Sequence, residues 1–179
     1  ESNMQTINLS QLITKLDSAT HKKLEKAVAK ACALRHASAD IQHLLSILIT
    51  EECGFNQLLV KNSINSNQLK IKVEKYLCSL PKSLIDTPAL SANIVEWLKE
   101  AWMHTSMRTS LQSITSSDLL LALISSPYLQ QISAPFIPEI SKLSQEKIMQ
   151  QVADLNIHSE NQTINQEKPE YLKQYTINL

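Results

Sequence analysis

A single glycine, Gly54, serves the whole 179-residue chain, and that scarcity limits how the backbone can turn. Loops that cradle phosphates and the dinucleotide fingerprint need several glycines, because the backbone must reach positive φ and approach the ligand closely. Neither nucleotide motif can be present. Hairpin-rich β folds also lean on Gly or Asn-Gly pairs in their tight turns, so they too are disfavoured. A sequence rich in Leu, Ala, Lys and Gln with 43% hydrophobic residues is expected to be all-α, with a core large enough for one compact domain. Gly54 follows the phrase ending at Thr50 and suits a left-handed residue after a helix end.

The chain states one pattern twice. "QHLLSILI" runs from Gln42 to Ile49, and "SDLLLALI" runs from Ser117 to Ile124. Each is apolar on nearly every side of a helix, which is stable in water only when other helices wrap it. The flanks match as well: "SATHKKLEKA" from Ser18 with "SANIVEWLKEA" from Ser91, and "NSNQLKIKV" from Asn65 with "LSQEKIMQQV" from Leu143. Matched positions lie 73 to 79 residues apart, too long for a helical-hairpin solenoid unit and suited to a small bundle used twice. The predicted architecture is a pseudo-twofold duplicated helical bundle, with repeats at about 18–80 and 91–155 inside a domain covering 4–155.

Local signals supply the boundaries. Leu9, Leu12, Ile13 and Leu16 form one stripe behind a cap at Asn8, but two turns of helix persist only when docked. Ser18 is expected to cap the next helix, whose apolar face carries Leu24, Ala27, Val28, Ala31 and Cys32 while Lys22, Lys23, Lys26 and Lys30 lie largely opposite. Asp40 is the expected cap of the first buried phrase, and Thr115 with Asp118 forms a capping box ahead of the second. Leu69, Val73, Tyr76, Leu77 and Leu80 should point inward from a helix over 66–80. Pro81 to Leu90 connects the repeats, and Pro127, Pro135 and Pro138 cut the second repeat into short pieces. After a helix over 144–155, residues 156–179 read as a linker leading to an absent module, polar at first and regaining hydrophobicity in "PEYLKQYTINL". Glu1 to Asn3 precede Met4 and read as an expression scar.

Charge excludes further classes. With 17 basic and 17 acidic residues there is no global field for nucleic acid or an anionic membrane. No apolar run has bilayer-spanning length and no signal segment opens the chain, so a cytoplasmic protein is expected. Cys32 and His36 could face one metal ion, yet Cys53 and Cys78 have no paired spacing beside them, and a core cysteine is the better reading. His43 has no nucleophile on a strained turn to serve, and reads as a buried, hydrogen-bonded histidine. Glu51 and Glu52 diverge by about 100° on a helix and make a poor acid/base pair. No catalytic, metal or cofactor residues are therefore assigned. Of the two tryptophans, Trp102 falls on the inward face, whereas Trp97 could line an exposed groove with Leu90 and Ile94.

The twofold helical unit with "HLL" in its first buried phrase resembles the N-terminal domain of the Clp/Hsp100 AAA+ unfoldases. Gln42 stands where that family commonly has an acid, and Ser117-Asp118 replaces the pair in the second copy. "EYLKQYTINL" is similar to the segment that leads into the first ATPase module of these proteins. Within the family, the apolar helix ahead of the first repeat and "NIVEWLKEAW" look most like the ClpV branch of type VI secretion. The resemblance implies a bacterial, cytoplasmic substrate-recognition domain, not itself an enzyme, that binds an N-terminal helix of the contracted sheath's large subunit for ATP-driven disassembly. ATP and Mg would belong to the absent modules, and no nucleic acid or membrane partner is implied. A short apolar helix packed on a bundle leaves a furrow on its flank, placing the peptide groove at Leu9, Leu12, Ile13, Leu16, Leu90, Ile94 and Trp97. The alternative within the family is a ClpB-type disaggregase domain that touches exposed apolar segments of aggregated proteins. A small helical enzyme outside the family is the reading of a different class, and turnover by the purified chain would favour it.

The isolated chain is expected to be a monomer that neither binds nor hydrolyses ATP, the full-length protein being a hexamer. Light scattering and a nucleotide titration check this, and a stable hexamer or ATPase activity from this chain would contradict it.

Overall fold

The computed structural model describes residues 8–84, 86–108 and 113–164. The elements are α1 (Leu9–Thr14), α2 (Ser18–Ala33), β1 (Ser38–Ala39), α3 (Ile41–Thr50), α4 (Gly54–Lys61), α5 (Ser66–Ser79), β2 (Ala89–Leu90), α6 (Ala92–Arg108), α7 (Ser116–Ser125), α8 (Pro127–Ser133), a 3-10 turn (Pro138–Lys142) and α9 (Gln145–Ile164). The series α2 to α5 recurs as α6 to α9, so the duplicated text is a duplicated four-helix unit. Among the described residues α1 has no helical counterpart ahead of α6.

The two repeated phrases are the centre of the core. Ile41, Leu44, Leu45, Leu48 and Ile49 of α3 and every residue from Ser116 to Ile124 of α7 are buried. Helices α2, α4 and α5 pack on α3, and α4, α6, α8 and α9 pack on α7. Truncating a central leucine such as Leu45 or Leu120 to alanine would cost about 2–5 kcal/mol by the usual cavity penalty.

Both central helices begin in capping boxes. The Thr115 N–H donates to Asp118 Oδ2 at 2.9 Å and the Asp118 N–H to Thr115 Oγ1 at 3.3 Å. In α3 the Asp40 side chain caps, and the returning partner is His43, whose Nδ1 accepts the Asp40 N–H at 2.9 Å. A histidine thus occupies the place that Asp118 holds in the second repeat. The α2 cap is Asp17, which accepts from the Thr20 N–H at 2.8 Å, rather than Ser18, which is the first helical residue.

Short backbone pairings stitch one repeat to the other. β1 and β2 pair in parallel, Ser38 with Ala89 and Ala39 with Leu90, and Leu16 forms a parallel bridge with Ile114. In each case the residue just ahead of one repeat's first helix pairs with the residue just ahead of the other repeat's central helix. The fold is otherwise helical, as expected.

Gly54 does not play the part its sequence context suggested. Gly54 does not have positive φ; among the described residues the left-handed ones are Arg35 and Ser63, at φ 59° and 62°. Each follows a helix end closed by paired backbone bonds, His36 N–H to Ala31 and Ile64 N–H to Leu59, the pattern that satisfies terminal carbonyls. Gly54 instead opens α4, where an added Cβ would meet Ser117 Cβ at 3.2 Å and Ser116 Oγ at 3.3 Å. It is small because α4 meets α7 there. Tyr76 is 40% exposed and stands edge-on to buried Phe136, so it flanks the core rather than filling it. Helix α9 continues to Ile164, carrying helical backbone into the stretch read as linker. Residues 165–179, and residues 1–3, lie outside the described residues.

The His36–His43 bridge makes stability depend on pH. His36 Nδ1 and His43 Nε2 lie 2.8 Å apart, buried between α2 and α3. Because His43 Nδ1 already accepts from Asp40, its proton sits on Nε2 and is donated to His36. Burial, then the neighbouring His36, lowers the His43 pKa to about 4 from 6.5. A histidine with a depressed folded pKa binds its proton more readily in the unfolded chain, so its contribution is complete above pH 6.5 and is lost as pH falls toward 4. The expected loss approaches 1.4 kcal/mol per pH unit, about 3 kcal/mol in all. Urea unfolding of wild type and His43→Gln between pH 7 and 4.5 measures it. The wild type should show this slope and the variant a shallower one.

Candidate functional site

The predicted groove residues divide into a buried set and a half-buried set. Leu12, Ile94 and Trp97 are completely buried, and Leu16 is nearly so. They hold the surface up from beneath and cannot touch a partner. Leu9, Ile13 and Leu90 are half-buried apolar side chains packed against the core. The tryptophan assignments are reversed: Trp97 is inside, its indole N–H donating to the Leu119 carbonyl at 2.8 Å, while Trp102 is half-buried at the surface. Both lie within the broad apolar arc of α6, and the packing of α6 on α7 takes Trp97 inside.

α1 packs on α6. Asn8 and Gln11 close a capping box at its start, and its end is tied down by backbone bonds, the Ile114 N–H to the Lys15 carbonyl at 2.7 Å and the Asp17 N–H to the Ile114 carbonyl at 3.0 Å. These ties and the burial of Leu12 and Leu16 explain how a six-residue helix persists. Leu9 and Ile13 sit one turn apart on α1, and Val95 and Trp102 sit two turns apart on α6, so each pair occupies one face. All four are half-buried. The Lys15 ammonium lies over the Trp102 ring, 4.8 Å from its centroid. Met103 and Met107 are exposed at 47% and 81% farther along α6, adaptable side chains suited to a recognition surface. Sequence spacing pointed to Leu9 and Ile13 but missed Val95, Trp102 and Lys15.

Leu90 reaches the surface by a different route. It lies in β2, and the following Ser91 donates its N–H to Ala39 at 3.0 Å and its hydroxyl to Asp40 Oδ1 at 2.7 Å. Leu90 thus sits in β2 just ahead of α6, and α1 packs on α6 itself.

Other candidate chemistry is structural. Cys32 is exposed rather than a core cysteine, its thiol donating to the Asp86 carbonyl at 3.5 Å, while His36 bonds His43. No group of three or more metal-ligating side chains occurs among the described residues. Glu51 is paired with Lys23 and Lys26 rather than simply solvated, and Lys30 bonds both Ser46 and Glu74. For Glu74, burial favours the neutral acid, but the bonds from Lys30 and Ser46 outweigh it and hold the carboxyl below its ordinary value. Much of the lysine stripe is thus engaged in joining α2 to α3 and α5. A cavity of about 280 Å³ between the repeats is lined by Asp17, Lys23, Gln57, Ser117 and Leu155 among others. Asp17 caps α2, Ser117 bonds Thr115, and Ser116 accepts the Phe55 N–H, so these groups serve the seam between repeats. No helix of the described residues is long and apolar enough to cross a membrane.

Residues 15–132 match the Clp repeat (R) N-terminal domain family. The chain belongs to that family. No curated protein matches it in sequence. Among solved structures it is similar to the N-terminal domain (1–163) of the ClpV1 ATPase from the E. coli EAEC Sci1 type VI secretion system, at 25% identity and a TM-score of 0.71, covering 80% of this chain and 86% of that one. The N-domain of ClpV from Vibrio cholerae has a TM-score of 0.68 at 22% identity, with 86% and 92% covered. A complex of a ClpV N-domain with a VipB peptide has a TM-score of 0.66 at 20% identity, with 84% and 97% covered. A Clp N-domain binds substrates and is not catalytic, and the accessible apolar surface on α1 and α6 suits that role.

The two tryptophans should report separately on this Clp N-domain. In Trp97→Phe the remaining emission from Trp102 should be readily quenched by acrylamide, and in Trp102→Phe the remaining Trp97 should be blue-shifted and protected. Equal quenching in both variants would contradict the assignment.

Proposed function

We propose that this Clp N-domain is the substrate-recognition domain of a type VI secretion unfoldase. In this reading it seats an N-terminal helix of the contracted sheath's large subunit against α1 and α6, and delivers the subunit to ATPase modules for disassembly and recycling. The observation that carries the reading is α1 itself: an apolar helix outside the duplicated unit, docked on α6 with Leu9 and Ile13 still accessible, in a chain whose fold is that of ClpV N-domains, one of them in complex with a VipB peptide. A helix laid in such a seat contributes its apolar stripe, and shape supplies the selectivity. The domain would be monomeric alone and hexameric through its ATPase modules, which would supply ATP and Mg binding in a bacterial cytoplasm. The chain after α9 would be the tether.

A labelled peptide from the N-terminus of the sheath's large subunit, titrated by fluorescence anisotropy, tests this. Leu9→Ala, Ile13→Ala and Leu90→Ala should each weaken binding roughly threefold to thirtyfold, the range of a truncated apolar anchor, with little change in unfolding midpoint. Ile94→Ala and Trp97→Ala should act by destabilising the fold. If the peptide fails to bind while unrelated unfolded proteins do, the domain is a disaggregase N-domain of the ClpB type.

A further inference from the structure

We propose that Lys15, held over Trp102, is a charge-reading element of the α1–α6 surface, so that the helix bound there carries a carboxylate beside its apolar stripe. The inference rests on the proposed peptide seat and names the chemistry that seat selects.

Lys15 stands at the edge of the proposed seat, over Trp102, with no carboxylate of the described residues paired to it. Its backbone is fixed on both sides, its N–H donating to the Leu12 carbonyl at 3.0 Å and its carbonyl accepting from Ile114 at 2.7 Å. Its ammonium is fixed over the indole of Trp102 at 4.8 Å, within the range of a cation–π attraction. On α6 itself Lys99 pairs with Glu96 at 3.6 Å, and the His104 ring lies 3.3 Å from Glu100. Among the described residues no carboxylate lies within ion-pair distance of Lys15, and α1 carries no acidic residue to offset it. An ammonium has three donors, and the face of an indole occupies only one side of it.

The consequence is a surface with a preorganised cation at its edge and four half-buried apolar side chains beside it. An incoming helix can pack its stripe on Leu9, Ile13 and the Trp102 edge while one carboxylate meets Lys15 from the solvent side. The cation–π contact need not break, because the carboxylate approaches the side of the ammonium that faces away from the ring. A helix with a lysine or arginine at that position would bring like charges together and be rejected, which makes Lys15 a discriminator more than a source of affinity. Trp102 is the anchor and Lys15 reads sign.

The sheath-subunit peptide of the preceding titration supplies the test, using wild type, Lys15→Gln, Lys15→Glu and Trp102→Phe, with each peptide carboxylate replaced in turn by its amide. One amide peptide should bind wild type roughly two- to tenfold more weakly, the effect of a partly exposed ion pair, and bind Lys15→Gln no worse than the parent peptide does. The wild-type affinity should fall with added salt and that of Lys15→Gln should fall less. Lys15→Glu should weaken the parent peptide further, and a lysine replacing the critical carboxylate should restore binding to Lys15→Glu. If the peptide binds, and Leu9→Ala weakens it, while Lys15→Gln changes neither affinity nor salt dependence, the seat stands and the charge-reading element is wrong. If no carboxylate of a bound peptide couples to Lys15, the proposal is likewise overturned. If the peptide does not bind at all, the sheath reading fails first, and a host-guest helix with an apolar stripe, prepared with Glu or Lys beside the stripe, decides the charge question: equal affinity for both forms, or none for either, overturns it.

Discussion

Two helices without a polar face set the terms for everything else in this domain. α3 and α7 are buried almost all round; the first repeat wraps α3 with its own α2, α4 and α5, whereas α7 also needs a helix from the other repeat. α4 belongs to the first repeat yet packs on α7 of the second, and Gly54 is the residue that lets it come close enough. The backbone pairings at Ser38–Ala39 with Ala89–Leu90 and at Leu16 with Ile114 then hold the start of each repeat against the centre of the other. For α7, wrapping the central helix and joining the repeats are thus one packing, made through α4.

That arrangement also shapes the proposed recognition surface. The bridge at Leu16 and Ile114 ends α1 where it must lie across α6, and the bridge at Leu90 starts α6 beside the first repeat. Buried side chains carry the burden of position: Leu12, Leu16, Ile94 and Trp97 fix α1 and α6 against α7. Leu9, Ile13, Leu90, Val95 and Trp102 are half-buried and are the side chains the proposed partner would meet. Separating the two tasks onto different residues lets the contact surface vary without endangering the fold, and truncations in the two sets should have opposite signatures, on stability in one and on binding in the other.

What could be read in the sequence was local or periodic. The duplicated phrases, the caps at Asn8, Asp40 and Thr115, and the proline-cut second repeat all follow from neighbours in the chain, and the structure has them. What could not be read depends on contacts between distant residues. Gly54 resembles a helix terminator until Ser116 and Ser117 are seen against it. His43 looked like a satisfied core histidine, and is one, but its partner His36 lies across a turn and its capping role needed the fold. The tryptophans were the clearest failure: α6 has apolar residues over so wide an arc that periodicity cannot choose between Trp97 and Trp102. Of the groove residues, Leu9, Ile13 and Leu90 were legible as accessible apolar positions, whereas Val95, Trp102 and Lys15 gain their places only from where α1 comes to rest.

The central claim is that the accessible face of α1 and α6 is where a partner helix sits. Chemical-shift mapping of the ¹⁵N-labelled domain with the sheath-subunit peptide tests it most directly, because the two indole N–H signals lie on opposite sides of the same surface. The account predicts shifts concentrated in 9–15 and along the outer face of α6, with the Trp102 indole signal moving and the Trp97 signal, bonded to Leu119, nearly still. A saturable binding event that leaves α1 and Trp102 unmoved and shifts α5 or α9 instead would contradict it.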